Sequence, residues 1–206
     1  MPEALFLEKN QITLLVDATH PYAETISANA IASAKHREIP HLQYIRPHWD
    51  LDKLSRAPYS LRVTELESYE LILAEIQQYR RPFWAVGYKS LNHLASKQPT
   101  KQTWVFRTAI HPSIEQLKTI DKGPAQIEII QQIGPFETNQ ETNLFQQKQI
   151  DALICKNSGG KFNEAKLKAA SALDIPVFLL KRPNKFAANC QYSSIETLFN
   201  AIIARI

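Results

Sequence analysis

Glycine is scarce in this chain, 5 of 206 residues, and no G-x-G-x-x-G occurs, so the usual dinucleotide fingerprint is absent. Two cysteines, Cys155 and Cys190, are too few for a disulfide framework and point to a reducing, cytoplasmic setting. No apolar run reaches the roughly 18 residues of a membrane span, so no membrane association is expected. The N-terminus, Met1-Pro2-Glu3-Ala4, lacks the basic and apolar regions of a signal peptide. A net charge of +4 without dense basic blocks and interleaved aromatics argues against nucleic acid as a partner. The sequence has no G-x-S-x-G elbow, H-E-x-x-H, paired Cys-x-x-Cys or Walker loop. His36, His41, His48, His93 and His111 show no metal-ligand spacing, so no metal is expected. Nothing resembles a built-in nucleophile. If the protein is an enzyme, a bound cofactor supplies the reactive atom and the chain supplies orientation and charge.

What is present is a pattern that occurs twice. An apolar run over 12–16 stops at Asp17, a polar turn with Pro21 follows, and residues 23–34 are Ala-rich without a breaker. Ile39-Pro40 then opens an apolar run over 41–45 that ends at Arg46-Pro47. The second copy runs from 152–155 through Lys156-Asn157-Ser158-Gly159-Gly160, an Ala-rich helix, Ile175-Pro176, an apolar run over 177–180, and Arg182-Pro183. Each reads as strand, loop, helix, strand, a βαβ unit whose functional edge is where strands end and helices begin. The self-similarity suggests two related α/β halves that face a cleft.

The rest of the chain reads as further strand and helix. Helical spacing covers 67–81, a short buried strand 83–86, and a second helical pattern 91–97, with Gly87 placed to let the backbone turn or approach a ligand. Strands are expected over 104–107 and 127–130, with a domain boundary near residue 110 at Ile110-His111-Pro112. This gives domains of 1–110 and 111–206. Ser113-x-x-Gln116, Thr138-x-x-Glu141 and Ser193-x-x-Glu196 read as helix starts, and Gly134-Pro135-Phe136 as a tight loop. Residues 184–192 look irregular, and Ile195, Leu198, Phe199, Ile202 and Ile203 form an apolar stripe on the last helix. Strands alternating with helices indicate a parallel-sheet α/β fold.

The loops carry the candidate chemistry. Lys156-Asn157-Ser158-Gly159-Gly160 is either an anion site of backbone N–H groups and an ammonium or a plain βα turn with a Ser cap. Lys166, farther along the same helix, either reaches back to that loop or points to solvent. His20 at a helix start is structural or a ligand contact, and Pro21 sits as at a first helical position. Ser27 and Asn29, middling helix formers in an Ala-rich helix, suggest specific partners. Arg46 and Arg182, at equivalent points of the two copies, are ligand cations or surface pairs.

These residues resemble a known family. Asp17-Ala18-Thr19-His20-Pro21-Tyr22-Ala23, Ile26-Ser27-x-Asn29-Ala30, Arg46-Pro47-x-Trp49, Gly134-Pro135-Phe136 with Asn143, and Lys156-x-Ser158-Gly159-Gly160 with Ala165-Lys166-Leu167 and Arg182-Pro183 are similar to the precorrin-6A reductases. The resemblance implies two Rossmann-like parallel-sheet domains facing a cleft. It also implies NADPH as cofactor and reduction of one carbon–carbon double bond of precorrin-6A, or its cobalt form, in cobalamin biosynthesis. Together with Gly87 and Lys89, which the reading of the turn after the 83–86 strand adds, it places Thr19, His20, Pro21, Tyr22, Ser27, Asn29, Arg46, Gly134, Pro135, Phe136, Asn143, Lys156, Ser158, Gly159, Gly160, Lys166 and Arg182 at the substrate or cofactor. The substrate, a tetrapyrrole with several carboxylates, accounts for a cleft rich in Arg, Lys, His, Ser and Asn. The family's opening strand and Gly-Gly-Thr turn are not found, so the N-terminal domain is expected to lack its first βα unit. A monomer is expected, and the rival expectation is a non-catalytic α/β module that binds an anionic tetrapyrrole.

Overall fold

The computed structural model describes residues 2–87, 90, 94, 101–113, 115, 126–183 and 190–205. Among them the elements are α1 (Pro2–Lys9), β1 (Leu15–Asp17), α2 (Glu24–His36), β2 (His41–Tyr44), α3 (Leu51–Leu54), β3 (Val63–Leu66), α4 (Tyr69–Glu75), β4 (Pro82–Ala85), β5 (Thr103–Thr108), β6 (Gln126–Gln131), α5 (Thr138–Gln147), β7 (Ala152–Lys156), α6 (Ala165–Ala172), β8 (Val177–Leu180), β9 (Cys190–Tyr192) and α7 (Ile195–Ile203). Lys89, most of the expected helix over 91–97 and Gln116 of the expected Ser113 cap lie outside the described residues.

The chain separates into one unit of residues 1–48 with 182–206 and another of 49–181. The expected boundary near residue 110 is therefore not where it divides. β5, which ends at Thr108, and β6, which begins at Gln126, pair over six residues of one sheet, so the stretch between them joins neighbours within a single core. The chain leaves each unit at an Arg-Pro, Arg46-Pro47 once and Arg182-Pro183 once.

In the first unit β1, β2 and β9 form a parallel sheet in that order. The expected first βαβ is present as β1–α2–β2, and Cys190–Tyr192, read as irregular from sequence, adds the third strand. On α7 only Leu198 is buried, while Ile195 and Phe199 are 70% and 59% exposed, so the expected apolar stripe is largely uncovered within its own unit.

The second unit holds a six-stranded, all-parallel sheet in the order β3-β8-β7-β4-β5-β6. β3, absent from the sequence reading because Thr64 and Glu65 break its apolar run, forms the edge beside β8, with Val63 opposite Val177 and Leu66 opposite Leu180. Period-two alternation sends neighbouring aromatics to opposite faces. Phe83, Val105, Leu153, Cys155 and Leu179 pack with Phe145 of α5 and Leu167, Ala169 and Ala170 of α6. Trp84, Trp104 and Phe106 gather separately, with Trp84 stacked on Phe106 at 5.4 Å between ring centroids. Such fully buried side chains contribute roughly 1.5–3 kcal/mol each. No helix among the described residues is long and apolar enough to cross a membrane.

Strand order locates the functional edge. From β4 the chain builds outward to β5 and β6, then returns to the other side of β4 for β7 and β8. The connections diverge between β4 and β7, and in open parallel sheets ligands bind beyond the carboxyl ends of strands at such a point.

Candidate functional site

In the first unit the end of β1 is organised by Asp17. Its carboxylate is buried and accepts from the Thr19 hydroxyl at 2.7 Å, the Thr19 N–H at 3.0 Å and the Gln43 amide at 3.0 Å. The Ser27 hydroxyl lies 3.2 Å from that of Thr19 and belongs to the same network. Burial pushes the Asp17 pKa up, but hydrogen bonds from Thr19, Ser27 and Gln43 outweigh it and bring the value down to about 2. Thr19 and Ser27 thus shape the turn that presents His20, Pro21 and Tyr22. His20 is exposed and its Nδ1 accepts from the Tyr22 N–H at 3.3 Å.

This network makes a prediction about acid stability. A carboxylate whose folded pKa lies below its unfolded value of 3.8 adds stability above the unfolded value and loses it as pH falls through the folded one. The Asp17 contribution, about 2 kcal/mol, is fully present at neutral pH and is lost progressively between about pH 5 and about pH 1. Thermal melts of wild type and Asp17→Asn across that range should converge at the acid end and separate near neutrality. Parallel curves would show that Asp17 is not so perturbed.

The first unit's other expected residues go to different places. Positions two apart on a helix do not share a face. With Ser27 turned to Asp17, Asn29 points to α1, where its amide donates to Glu3 Oε1 at 3.1 Å. There it lines a hollow of about 510 Å³ whose walls are chiefly Phe6, Leu7, Leu15, Ile26 and Ala30. Arg182 is buried and donates to the carbonyl oxygens of Arg46 at 2.5 Å and Pro47 at 3.3 Å, so it ties the two Arg-Pro crossings together. Arg46 is half-buried, with no carboxylate partner among the described residues.

The second unit has a cavity of about 290 Å³ on the carboxyl edge of its sheet. Gly87 after β4, Arg107 and Thr108 at the end of β5, Gly134-Pro135-Phe136 after β6, Glu141 on α5, and Asn163 and Lys166 after β7 line it. Gly87 has φ +83°, a conformation that favours glycine, and a Cβ there would meet nothing within 4 Å, so open space lies beside the backbone.

The loop after β7 is fixed by Asn157, which the sequence reading named in the loop without giving it a role of its own. Asn157 is 1% exposed; its oxygen accepts from the Trp49 N–H at 3.0 Å and its amide donates to Glu65 Oε1 at 2.8 Å. The Ser158 N–H returns to the Lys156 carbonyl at 2.7 Å, and Gly159 and Gly160 take φ of 66° and 77°. Trp49 Nε1 donates to the Gly160 carbonyl at 3.3 Å. Lys166 does reach back: its ammonium donates to the Asn163 carbonyl at 2.9 Å and lies 5.2 Å from the Trp49 ring centroid. Burial pushes its pKa down. The same burial pushes the thiol of Cys155, deep in the core, up to about 11, which leaves it neutral and unreactive.

The most buried ion pair among the described residues was not foreseen. Arg107 Nη2 meets Glu141 Oε1 at 2.8 Å, with side chains only 8% and 2% exposed. The guanidinium lies 4.0 Å from the Phe136 ring centroid and 5.1 Å from that of Phe83. Glu141 was expected to cap α5; instead the Gln140 side chain accepts from the Glu137 N–H at 3.0 Å, which releases Glu141 to the interior. Asn143, two positions on, is consequently exposed and outside the cavity lining. Glu141 Oε2 and Thr108 Oγ1 are buried with no hydrogen-bond partner among the described residues. The signals available in sequence were Arg107 at the end of an apolar run and a Glu one turn into a helix after Gly-Pro-Phe.

The structure thus brings Gly87, Gly134, Pro135, Phe136 and Lys166 to one cavity, with Ser158, Gly159 and Gly160 in the adjoining loop. No cluster of metal-ligating side chains is found among the described residues.

Comparison with known proteins accords with this architecture. A family model described as "Precorrin-6x reductase CbiJ/CobK" matches residues 3–203. The precorrin-6A reductase of Mycobacterium tuberculosis is 33% identical over 179 residues, which are 86% of this chain and 66% of that protein. The cobalt-precorrin-6A reductase of Synechocystis sp. is 31% identical over 183 residues, again 86% and 66%. The chain therefore spans just under two thirds of the length of these curated relatives. A solved structure titled "CobK precorrin-6A reductase" superposes with a TM-score of 0.82 at 25% identity, covering 98% of this chain and 78% of that one.

Proposed function

Because the chain belongs to the precorrin-6x reductase CbiJ/CobK family, we propose that it serves in the NADPH-dependent reduction of precorrin-6A, or its cobalt form, to the corresponding precorrin-6B in cobalamin biosynthesis. The observation that carries this reading is the cavity at the divergence of β4 and β7, the place where a parallel sheet takes a nucleotide.

The residues present fit such a cofactor. Gly87, Gly159 and Gly160 hold positive φ and let backbone come close, Lys166 offers an ammonium, and Glu141 and Thr108 keep polar atoms unpartnered. When bound, NADPH supplies the hydride that a macrocycle double bond takes up. Ser158, Gly159, Gly160 and Lys166 would hold the phosphates, since backbone N–H groups and a nearby ammonium together form an anion site. In the first unit Arg46 and the turn at Thr19, His20, Pro21 and Tyr22 would engage carboxylates of the macrocycle, each charge-assisted contact being worth roughly 1.5–3 kcal/mol. With the reactive atom supplied by the cofactor, the chain's task is to hold both partners in near-attack geometry.

The test is consumption of NADPH, followed by its absorbance, with and without precorrin-6A. Oxidation only in the presence of the macrocycle supports the reading. Folded protein that binds a tetrapyrrole yet shows no affinity for NADPH would replace it with a non-catalytic tetrapyrrole-binding module.

A further inference from the structure

The Arg107–Glu141 pair is a peculiar thing to find in a cavity wall. Taking two charges out of water is expensive, and the desolvation they suffer can exceed their mutual attraction. One oxygen of Glu141 is committed to Arg107; the other is buried with no hydrogen-bond partner among the described residues. Leaving a buried acceptor unmet is unfavourable, and most such groups in folded proteins are satisfied. Thr108, one position after Arg107, shows the same condition at its hydroxyl, and both residues line the cavity.

The chemistry of the missing partner follows from charge. A carboxylate accepts only, so Oε2 calls for an N–H or O–H. A second carboxylate placed beside it would set like charges together. Arg107 offers no compensation, because Glu141 already neutralises it and Phe136 covers its face. Lys166, on the β7 side of the same cavity, has no carboxylate partner among the described residues and suits an anion. A ligand carrying both a neutral donor and a separate anionic group meets both demands, and a nucleotide is such a molecule. The rim of a polycarboxylate ring is not.

Resting on the reductase reading above, we propose that Glu141, oriented by Arg107 and flanked by Thr108, accepts a hydrogen bond from a neutral donor of the nicotinamide dinucleotide, a ribose hydroxyl or the carboxamide, so that this cavity holds the cofactor and not a macrocycle carboxylate. The last torsion of a glutamate is soft, which lets Oε2 turn to a ligand without a change of rotamer. Arg107 acts as a positioning residue, since its guanidinium touches Glu141 and two rings.

The experiment measures dissociation constants for NADPH and for uroporphyrin, a stable polycarboxylate tetrapyrrole, on wild type, Glu141→Gln and Thr108→Val. Glutamine keeps the shape and an oxygen for Arg107 but presents an amide where the unmet acceptor was. Valine removes a hydroxyl that has no partner in the free protein, so a merely structural role would leave binding unchanged and stability equal or higher. The expected result is weakening of NADPH binding by about tenfold to a hundredfold in Glu141→Gln and a smaller loss in Thr108→Val, with uroporphyrin affinity within about twofold throughout. Thermal melts confirm that both variants fold. The 3-acetylpyridine analogue of NADPH, which lacks the amide N–H, separates the two donors: discrimination against it by wild type and not by Glu141→Gln identifies the carboxamide, and equal binding identifies a ribose hydroxyl. Wild-type affinity for NADPH with no change in either variant overturns the proposal alone, as does an equal loss of uroporphyrin binding. Absence of NADPH affinity in wild type overturns the reductase reading and the proposal together.

Discussion

Arg107→Met is expected to lower stability by about 3–5 kcal/mol, whereas Arg107→Met combined with Glu141→Leu is expected to recover most of the loss. The single change leaves the Glu141 carboxylate, 2% exposed, without its counter-ion and far from water. Methionine is well shaped for the space between Phe83 and Phe136, so packing is not what fails. The double change removes both charges and fills the site with apolar groups, an exchange that is often neutral in buried pairs. Urea unfolding of the two variants and wild type gives the coupling directly. A single variant as stable as wild type would show that the pair is solvated in solution. The recovered double variant also separates stability from function: if Glu141 receives the cofactor, a stable Arg107→Met/Glu141→Leu protein still binds NADPH weakly.

How much of this was legible in sequence depended on whether the signal was local. The two βαβ units were readable because apolar runs, turn residues and Ile-Pro/Arg-Pro punctuation all lie within a few tens of residues and agree with one another. β3 and β9 were not. Val63–Leu66 has two consecutive polar residues, Thr64 and Glu65, at its centre and Cys190–Tyr192 is three residues long, so both owe their strand state to a neighbour contributed from far along the chain, β8 and β2 respectively. The unit boundary was missed for a related reason. Composition changes near residue 110, but the core continues across it from β5 to β6. At the candidate site, glycine loops announce themselves through backbone demands, and Gly87, Gly159 and Gly160 do hold positive φ. Arg107 and Glu141 could not be, because each is a normal residue in its own element and only the fold makes them a buried pair. Ser27 with Asn29, and Glu141 with Asn143, teach the same lesson twice. In each helix two polar residues stand two positions apart, so one must turn inward and the other away. Their faces were fixed by partners, Asp17 and Arg107, that lie outside the helix.

Asn157→Leu should be the second large effect, and it should act on the loop more than on the sheet. The side chain spans two contacts that no other group replaces: the Trp49 N–H at 3.0 Å and Glu65 Oε1 at 2.8 Å. Leucine has nearly the same shape, so no cavity opens, but a backbone donor and a carboxylate oxygen lose their partner. The Trp49 N–H is left buried and unmet at a cost of roughly 1–3 kcal/mol, while the half-buried Glu65 can turn to water and adds little. The consequence for function follows from what Trp49 does next. Its indole N–H holds the Gly160 carbonyl and its ring faces the Lys166 ammonium, so freeing its backbone loosens the diglycine turn and the cation together. If that turn receives the cofactor phosphates, affinity for 2′,5′-ADP, which bears phosphates and no nicotinamide, should fall by about tenfold or more while the six-stranded sheet keeps its cooperative unfolding. Hydrogen exchange should show faster opening confined to residues near 49 and 157–166, with β4, β7 and β8 still protected. Undiminished 2′,5′-ADP binding in a variant with a demonstrably loosened loop would move the phosphate site elsewhere.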